Sequence, residues 1–167
     1  MQTTHVIGVD PGLVHTGVVR FVFVPRHREV LLQHEAITGP NAYAVGQWIK
    51  SSAILGLGVL PQPFIWIEDY KPRSHFGTDP KMLAAVADMR RETRGTVLNN
   101  TGVKKVVRQP LMELLGVWKF STTTHHQDLR SAARIALLGM LKHQELNRLL
   151  TEVVKDNLEG RGWRVHH

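Results

Sequence analysis

Three acidic residues stand where an α/β protein does its chemistry. Asp10 closes the apolar run Val6-Ile7-Gly8-Val9, and Pro11-Gly12 turn the chain straight after it. Glu68 closes a second apolar run, Phe64-Ile65-Trp66-Ile67. Asp128 lies near the start of a helical stretch rich in small residues, Ala132, Ala133 and Ala136. Ligand sites in α/β sheets collect at the carboxyl ends of strands. Two acids on neighbouring strand ends repel each other and resist shared burial. A divalent cation removes that penalty, and hard oxygen ligands suit Mg²⁺ or Mn²⁺. Two ions about 4 Å apart would activate a water and stabilise the leaving oxygen of a phosphodiester. Asp128 would reach in from a helix N-terminus, where an anion is also favoured. Each acid has a plainer use. Asp10 suits a turn, and Asp128 suits a first helical turn. Glu68 resists that account, because a carboxylate closing so apolar a strand is costly unless it meets solvent or a cation. His125 and His126 precede Asp128, as contacts for the attacked phosphate or its water, or as loop and capping residues.

The elements around these acids follow from periodicity. Val6–Asp10, Thr16–Phe23 and Arg28–Ile37 read as three strands of an antiparallel meander, with the hairpin near Pro25 and His27. Asn41 caps a helix through Tyr43, Val45, Trp48 and Ile49, which Gly56, Gly58 and Pro61 end. Phe64–Ile67 reads as a central strand covered on both faces. Asp79-Pro80 opens a helix running to Val97 or Leu98. Val103–Val107 reads as another strand, stopped by Pro110, with a helical turn over Leu111–Leu115. His126–Leu141 is a helix able to lie close on a sheet, and Leu146–Leu158 is a terminal helix. The order βββ-α-β-α-β-α predicts a mixed five-stranded sheet flanked by helices.

The chain has 167 residues and no cysteine, which excludes disulfides, thiolate zinc sites, iron–sulfur clusters and cysteine nucleophiles. Neither a signal peptide nor a membrane-spanning helix is expected. The net charge of +7 is uneven. Residues 69–134 hold 12 basic and 6 acidic side chains, whereas residues 1–68 hold four of each. That middle third is the expected footprint of a phosphate backbone, unless it is simply a solvated face of mixed helices. His166 and His167 are given no role.

Val6-Ile7-Gly8-Val9-Asp10-Pro11-Gly12 with Thr16-Gly17, Ile65-Trp66-Ile67-Glu68, and Asp128-Leu129-Arg130-Ser131-Ala132-Ala133-Arg134-Ile135-Ala136 together resemble the RuvC family of Holliday-junction resolvases. That family lies within the RNase H-like nuclease superfamily, and the resemblance spans residues 5–141. It places the Val103–Pro110 strand as the penultimate core strand. It implies one RNase H-like nuclease domain over residues 1–167, with 142–167 as a helical extension. It also implies metal-dependent cleavage of four-way junctions or other branched DNA, with two Mg²⁺ or Mn²⁺ ions. The family's last helix usually carries two aspartates three residues apart. With Asp128 in the first position, Ser131 fills the second, leaving three carboxylates and a hydroxyl as metal ligands. The alternative frame puts Asp128 second, with His125 or Gln127 nearby. The spacing of the alanines favours the first.

Family members are homodimers, which implies a dimer here. Met82, Val86 and Met89 would line a helix interface, or else the core. Lys71, Arg73, Lys81, Arg90, Arg91, Arg94, Lys104, Lys105 and Arg108 of the basic middle third are expected to track phosphates. By resemblance, Tyr70, His75 or Phe76 would stack on an unpaired base. Three rival readings share parts of this pattern. One is an RNase H-like nuclease for flaps, single strands or RNA–DNA hybrids. Another is a non-catalytic branched-DNA binder that kept the fold. The third, a sugar-kinase-like phosphotransferase, needs a much longer chain. The expected location is the cytoplasm of a bacterium, or of a phage's host, since divergence from bacterial members suggests a bacteriophage.

Overall fold

The computed structural model describes residues 2–51, 61–72, 77–120 and 124–167. A six-stranded mixed sheet runs in the order β5-β4-β1-β2-β3-β6. β1 (Thr4–Asp10), β2 (His15–Val24) and β3 (Glu29–Thr38) form the expected antiparallel meander. β4 (Phe64–Glu68) lies parallel to β1, and β5 (Thr96–Leu98) parallel to β4. Short β6 (Arg164–His166) pairs parallel with β3 and adds a strand to the five expected. The helices are α1 (Ala42–Lys50), α2 (Pro80–Thr93), α3 (Val103–Val106), α4 (Gln109–Leu114), α5 (His126–Lys142) and α6 (Gln144–Leu158). Two caps form as their residue types dictate. Asn41 Oδ1 accepts from the Ala44 N–H at 2.9 Å, and Asp79 Oδ1 from the Lys81 N–H at 2.8 Å. The Gly56–Pro61 stop expected after α1 lies largely outside the described residues.

Strand parity sorts the core into two layers. Ile7, Val9, Val18 and Ile67 face α1 and α2, meeting Val45, Val86 and Met89. Val86 and Met89 are therefore core residues, and Met82 is only partly buried beside them. Val6, Val19, Phe21 and Trp66 face the other way, under Leu129, Ala132 and Ala136 of α5 and Leu149 and Val153 of α6. Gly8 and Gly17 bring α5 down onto the sheet. A Cβ on Gly8 would lie 1.9 Å from the Ala132 carbonyl oxygen, and one on Gly17 2.5 Å from that of Asp128. Only hydrogen fits at either place.

Two expected elements are corrected. α2 ends at Thr93 because Arg94 adopts a left-handed conformation (φ 57°), its N–H donating to the Arg90 carbonyl. The chain released there forms the edge strand Thr96–Leu98. The strand expected over Val103–Val107 is instead the helical turn α3. Its valines do not alternate with period two. Val103 and Val107, four residues apart, face the core, while Lys104 and Lys105 face water.

Two buried basic groups were not anticipated. Arg20 of β2 points under α1, donating to Gln33 Oε1 at 2.7 Å and to the Trp48 and Ile49 carbonyls at 2.9 Å each. It thereby caps the helix C-terminus, with its guanidinium over the Trp48 ring. His5, 2% exposed, donates from Nδ1 to the Pro61 carbonyl. Burial, and then the Arg20 charge, lower its pKa to about 4. A folded-state pKa below the unfolded value gives stability that is present above pH 6.5 and lost as pH falls toward 4. That loss is about 3 kcal/mol. His5→Leu should flatten this acid limb in urea melts between those pH values. An unchanged limb would place the acid sensitivity elsewhere.

Candidate active site

Strand register brings Asp10 and Glu68 together. Val9 pairs with Ile67 across β1 and β4, so the next residues on each strand end side by side. Both point to the α5 face, since Gly8 and Trp66, two residues earlier, meet α5. The Asp10 carboxyl lies within hydrogen-bonding reach of Glu68, and the Asp128 charge also acts on it. Ser131, one helical turn beyond Asp128, hydrogen-bonds to Asp10. Burial first, then the charge and hydrogen bond of Glu68, then Asp128, push Asp10 well above the usual carboxylate range. Ser131 opposes that rise.

Two ionised carboxylates facing each other present only acceptors, so a proton or a cation has to stand between them. Glu68 Oε1 accepts from Asn100 Nδ2, while Glu68 Oε2 is buried with no hydrogen-bond partner unless Asp10 carries a proton between them. An orphaned buried oxygen beside further carboxylates fits a hard divalent cation. Among the described residues, no three His, Asp or Glu groups already converge at ligand distance. Asp128 Oδ2 lies 3.8 Å from His125 Nδ1, which pairs the third acid with an imidazole.

The raised Asp10 pKa has a stability consequence without metal. A group held more tightly protonated in the fold contributes stability present below its unfolded pKa and lost as pH rises through its folded pKa. Asp10→Asn mimics the protonated form. At pH 7.5 in EDTA its melting temperature should lie a few degrees above wild type, the gap closing as pH falls through the carboxylate range. A lower melting temperature for the variant throughout would contradict the repulsion described here.

The remaining predicted residues divide. His125 stands at the head of α5 beside Asp128, its ring 4.1 Å from that of His15. His126 turns away, its Nδ1 accepting from the Phe120 N–H at 3.1 Å. Positions 126 and 128 lie on opposite faces of the helix, so this ring engages the chain before α5. The Tyr70 hydroxyl accepts from the Asp79 N–H at 3.2 Å and the ring packs against the α1–α2 core layer. That partly buried ring supports the start of α2. Arg73, His75 and Phe76 lie outside the described residues.

Arg90, Arg91 and Arg94, in and just past the last turn of α2, lie toward the end of the sheet remote from the acids. Thr96 pairs with Trp66 and Leu98 with Glu68, so the chain leaving α2 enters β5 at the end remote from the acids. Arg94 lies beside Phe64, and Arg91 pairs with Asp88 at 2.9 Å. Lys71, Lys81, Lys105 and Arg108 are exposed, and Lys104 borders the cavity at Glu68. Sequence reading missed three residues, Asn100, His15 and Arg134. For Arg134 a signal existed, since it lies three and six residues beyond Ser131 and Asp128, on one helix face.

The architecture is RNase H-like, a mixed sheet flanked by helices with the acids at the carboxyl ends of β1 and β4. Among solved structures the chain is similar to Thermus thermophilus RuvC, at 17% identity and TM-score 0.51, over 80% of this chain and 92% of that one. It is likewise similar to T. thermophilus RuvC in complex with Holliday junction substrate, at 15% identity and TM-score 0.50, over 80% and 90%. At that identity the likeness establishes the fold. No family model matches the sequence, and no curated protein matches it. No described helix is long and apolar enough to cross a membrane.

Proposed function

We propose that this protein is a metal-dependent endonuclease hydrolysing phosphodiesters in four-way junctions or other branched DNA. The observation that carries the reading is the facing pair Asp10 and Glu68, with Glu68 Oε2 left without a partner unless Asp10 is protonated. Asp10, Glu68 and Asp128 would hold the Mg²⁺ or Mn²⁺ ions, with His125 beside them. When bound, the metal supplies Lewis acidity and a more acidic water. The chain's own groups do the positioning. Asn100 fixes one oxygen of Glu68, Ser131 fixes Asp10, and the glycine contacts hold α5 at a constant height above both. His125 is placed to orient Asp128 or to exchange a proton with the reacting water.

The solved RuvC bound to a Holliday junction shares the fold and supports branched DNA as the substrate class. The positive charge of residues 69–134 suits such a polyanion. We further propose a homodimer, matching two active sites to two strands, and a cytoplasmic location. The test is cleavage of a four-way junction, flap, duplex, single strand and RNA–DNA hybrid in Mg²⁺ and in Mn²⁺. Metal-dependent nicks confined to branched DNA support the reading. Preferential cleavage of the hybrid, or of none, overturns it.

A further inference from the structure

The ground beside Glu68 opens into a cavity of about 60 Å³ bordered by Asn100, Lys104, Ser131 and Arg134. Arg134 stands one turn beyond Ser131 on α5. Its Nε is buried with no acceptor, and among the described residues its guanidinium makes no hydrogen bond and no ion pair within 4.0 Å. Its neighbour Arg130 is tied down. Arg130 Nε donates to the Trp118 carbonyl at 2.5 Å, with its guanidinium 4.2 Å from the centre of that ring. Arg134 approaches the same ring more loosely, at 5.6 Å. One guanidinium is thus spent on the fold, while the other borders the acid site with donors to spare. Arginine presents a fork of donors matched to phosphate oxygens. The cavity is polar along the Asn100, Lys104, Ser131 and Arg134 side and roomy enough for water or phosphate oxygens.

We propose that Arg134 is a catalytic residue whose guanidinium donates to a non-bridging oxygen of the phosphodiester being cleaved. The proposal rests on the nuclease reading above. In that hydrolysis a water oxygen bonds to phosphorus, the bond to one sugar oxygen breaks, and the departing oxygen takes up a proton. Negative charge on the non-bridging oxygens is best met by a fixed donor that needs no reorganisation. Arg134 would supply that donor from the cavity beside Glu68.

The test compares wild type, Arg134→Gln and Arg134→Lys as full chains, with melting temperature measured for each and rates taken per folded protein. Single-turnover cleavage of a four-way junction in Mg²⁺ is one readout. The other is the slope of log affinity against log salt for the same junction in EDTA. Arg134→Gln should lose about 100-fold in cleavage rate. Its salt slope should fall by about one unit, since one phosphate contact is gone. Arg134→Lys should restore the slope and part of the rate. Wild-type rate and slope in Arg134→Gln would overturn the proposal and leave the nuclease reading standing. A lower slope with undiminished cleavage would also overturn it, placing the contact on a flanking phosphate. A wild-type protein inert on every DNA in Mg²⁺ and Mn²⁺ would overturn the nuclease reading, and the catalytic role of Arg134 with it.

Discussion

Glu68→Gln is expected to cleave junction DNA about a thousandfold more slowly than wild type, or worse, while binding it at least as tightly. The change keeps shape and removes charge. The amide oxygen of the introduced glutamine can still accept from Asn100, so the end of β4 should not move. What disappears is an anionic ligand at a buried oxygen that has no assigned partner. A metal's stabilisation of a phosphoryl transition state amounts to several kcal/mol, which sets the size of the rate loss. Binding survives because the residue contributes repulsion toward phosphates, not attraction. Single-turnover cleavage and fluorescence anisotropy on the same preparation check the two halves together. Near-normal turnover, with wild-type contamination excluded, would remove Glu68 from the chemistry.

Gly8→Ala is the second change expected to have a large effect, although Gly8 touches no substrate. The added methyl would lie 1.9 Å from the Ala132 carbonyl oxygen, a backbone atom that cannot rotate aside. α5 would have to lift from β1. Overpacking of this kind costs about 1–3 kcal/mol and sometimes more. In a chain of this size that corresponds to a fall in melting temperature of roughly 2–12 °C. Cleavage should fall further than the folded fraction does, because Asp128 and Ser131 ride on the displaced helix while Asp10 and Glu68 stay on the sheet. Calorimetry beside the cleavage assay separates the two effects. Unaltered melting would show that α5 does not owe its height to this glycine.

Much of this arrangement was legible in the amino-acid order. Val6–Asp10 and Phe64–Glu68 are apolar runs that each end in an acid, and such runs become adjacent buried strands. The alanines of α5 announced a helix lying close to the sheet, and Gly8 and Gly17 are the matching small residues on the strands. Other parts gave poor signals for physical reasons. Thr96–Leu98 is too short to show alternation, and the left-handed turn before it falls on Arg94, a residue type that does not advertise one. Val103–Val107 is rich in β-branched residues, yet their four-residue spacing puts one face of a helical turn on the core. Arg20 reads as an outward strand position because its acceptors are helix carbonyls supplied by tertiary packing. The middle third is basic, but β5 sends the α2 arginines to the end of the sheet away from the acids. Charge counted along the chain carried no information about which end of the sheet it would occupy.

On the proposed reading, Asp10 and Glu68 face each other because they share a cation. Calorimetric titration of Mn²⁺ into the metal-free full chain tests it most directly, with Asp10→Asn and Glu68→Gln measured alongside at pH 7.5. Saturable binding is expected of wild type, tighter at higher pH because the metal has to displace any proton shared by Asp10 and Glu68. Both variants are expected to lose that binding. Equal Mn²⁺ binding by all three proteins, or none by wild type, would contradict the shared cation.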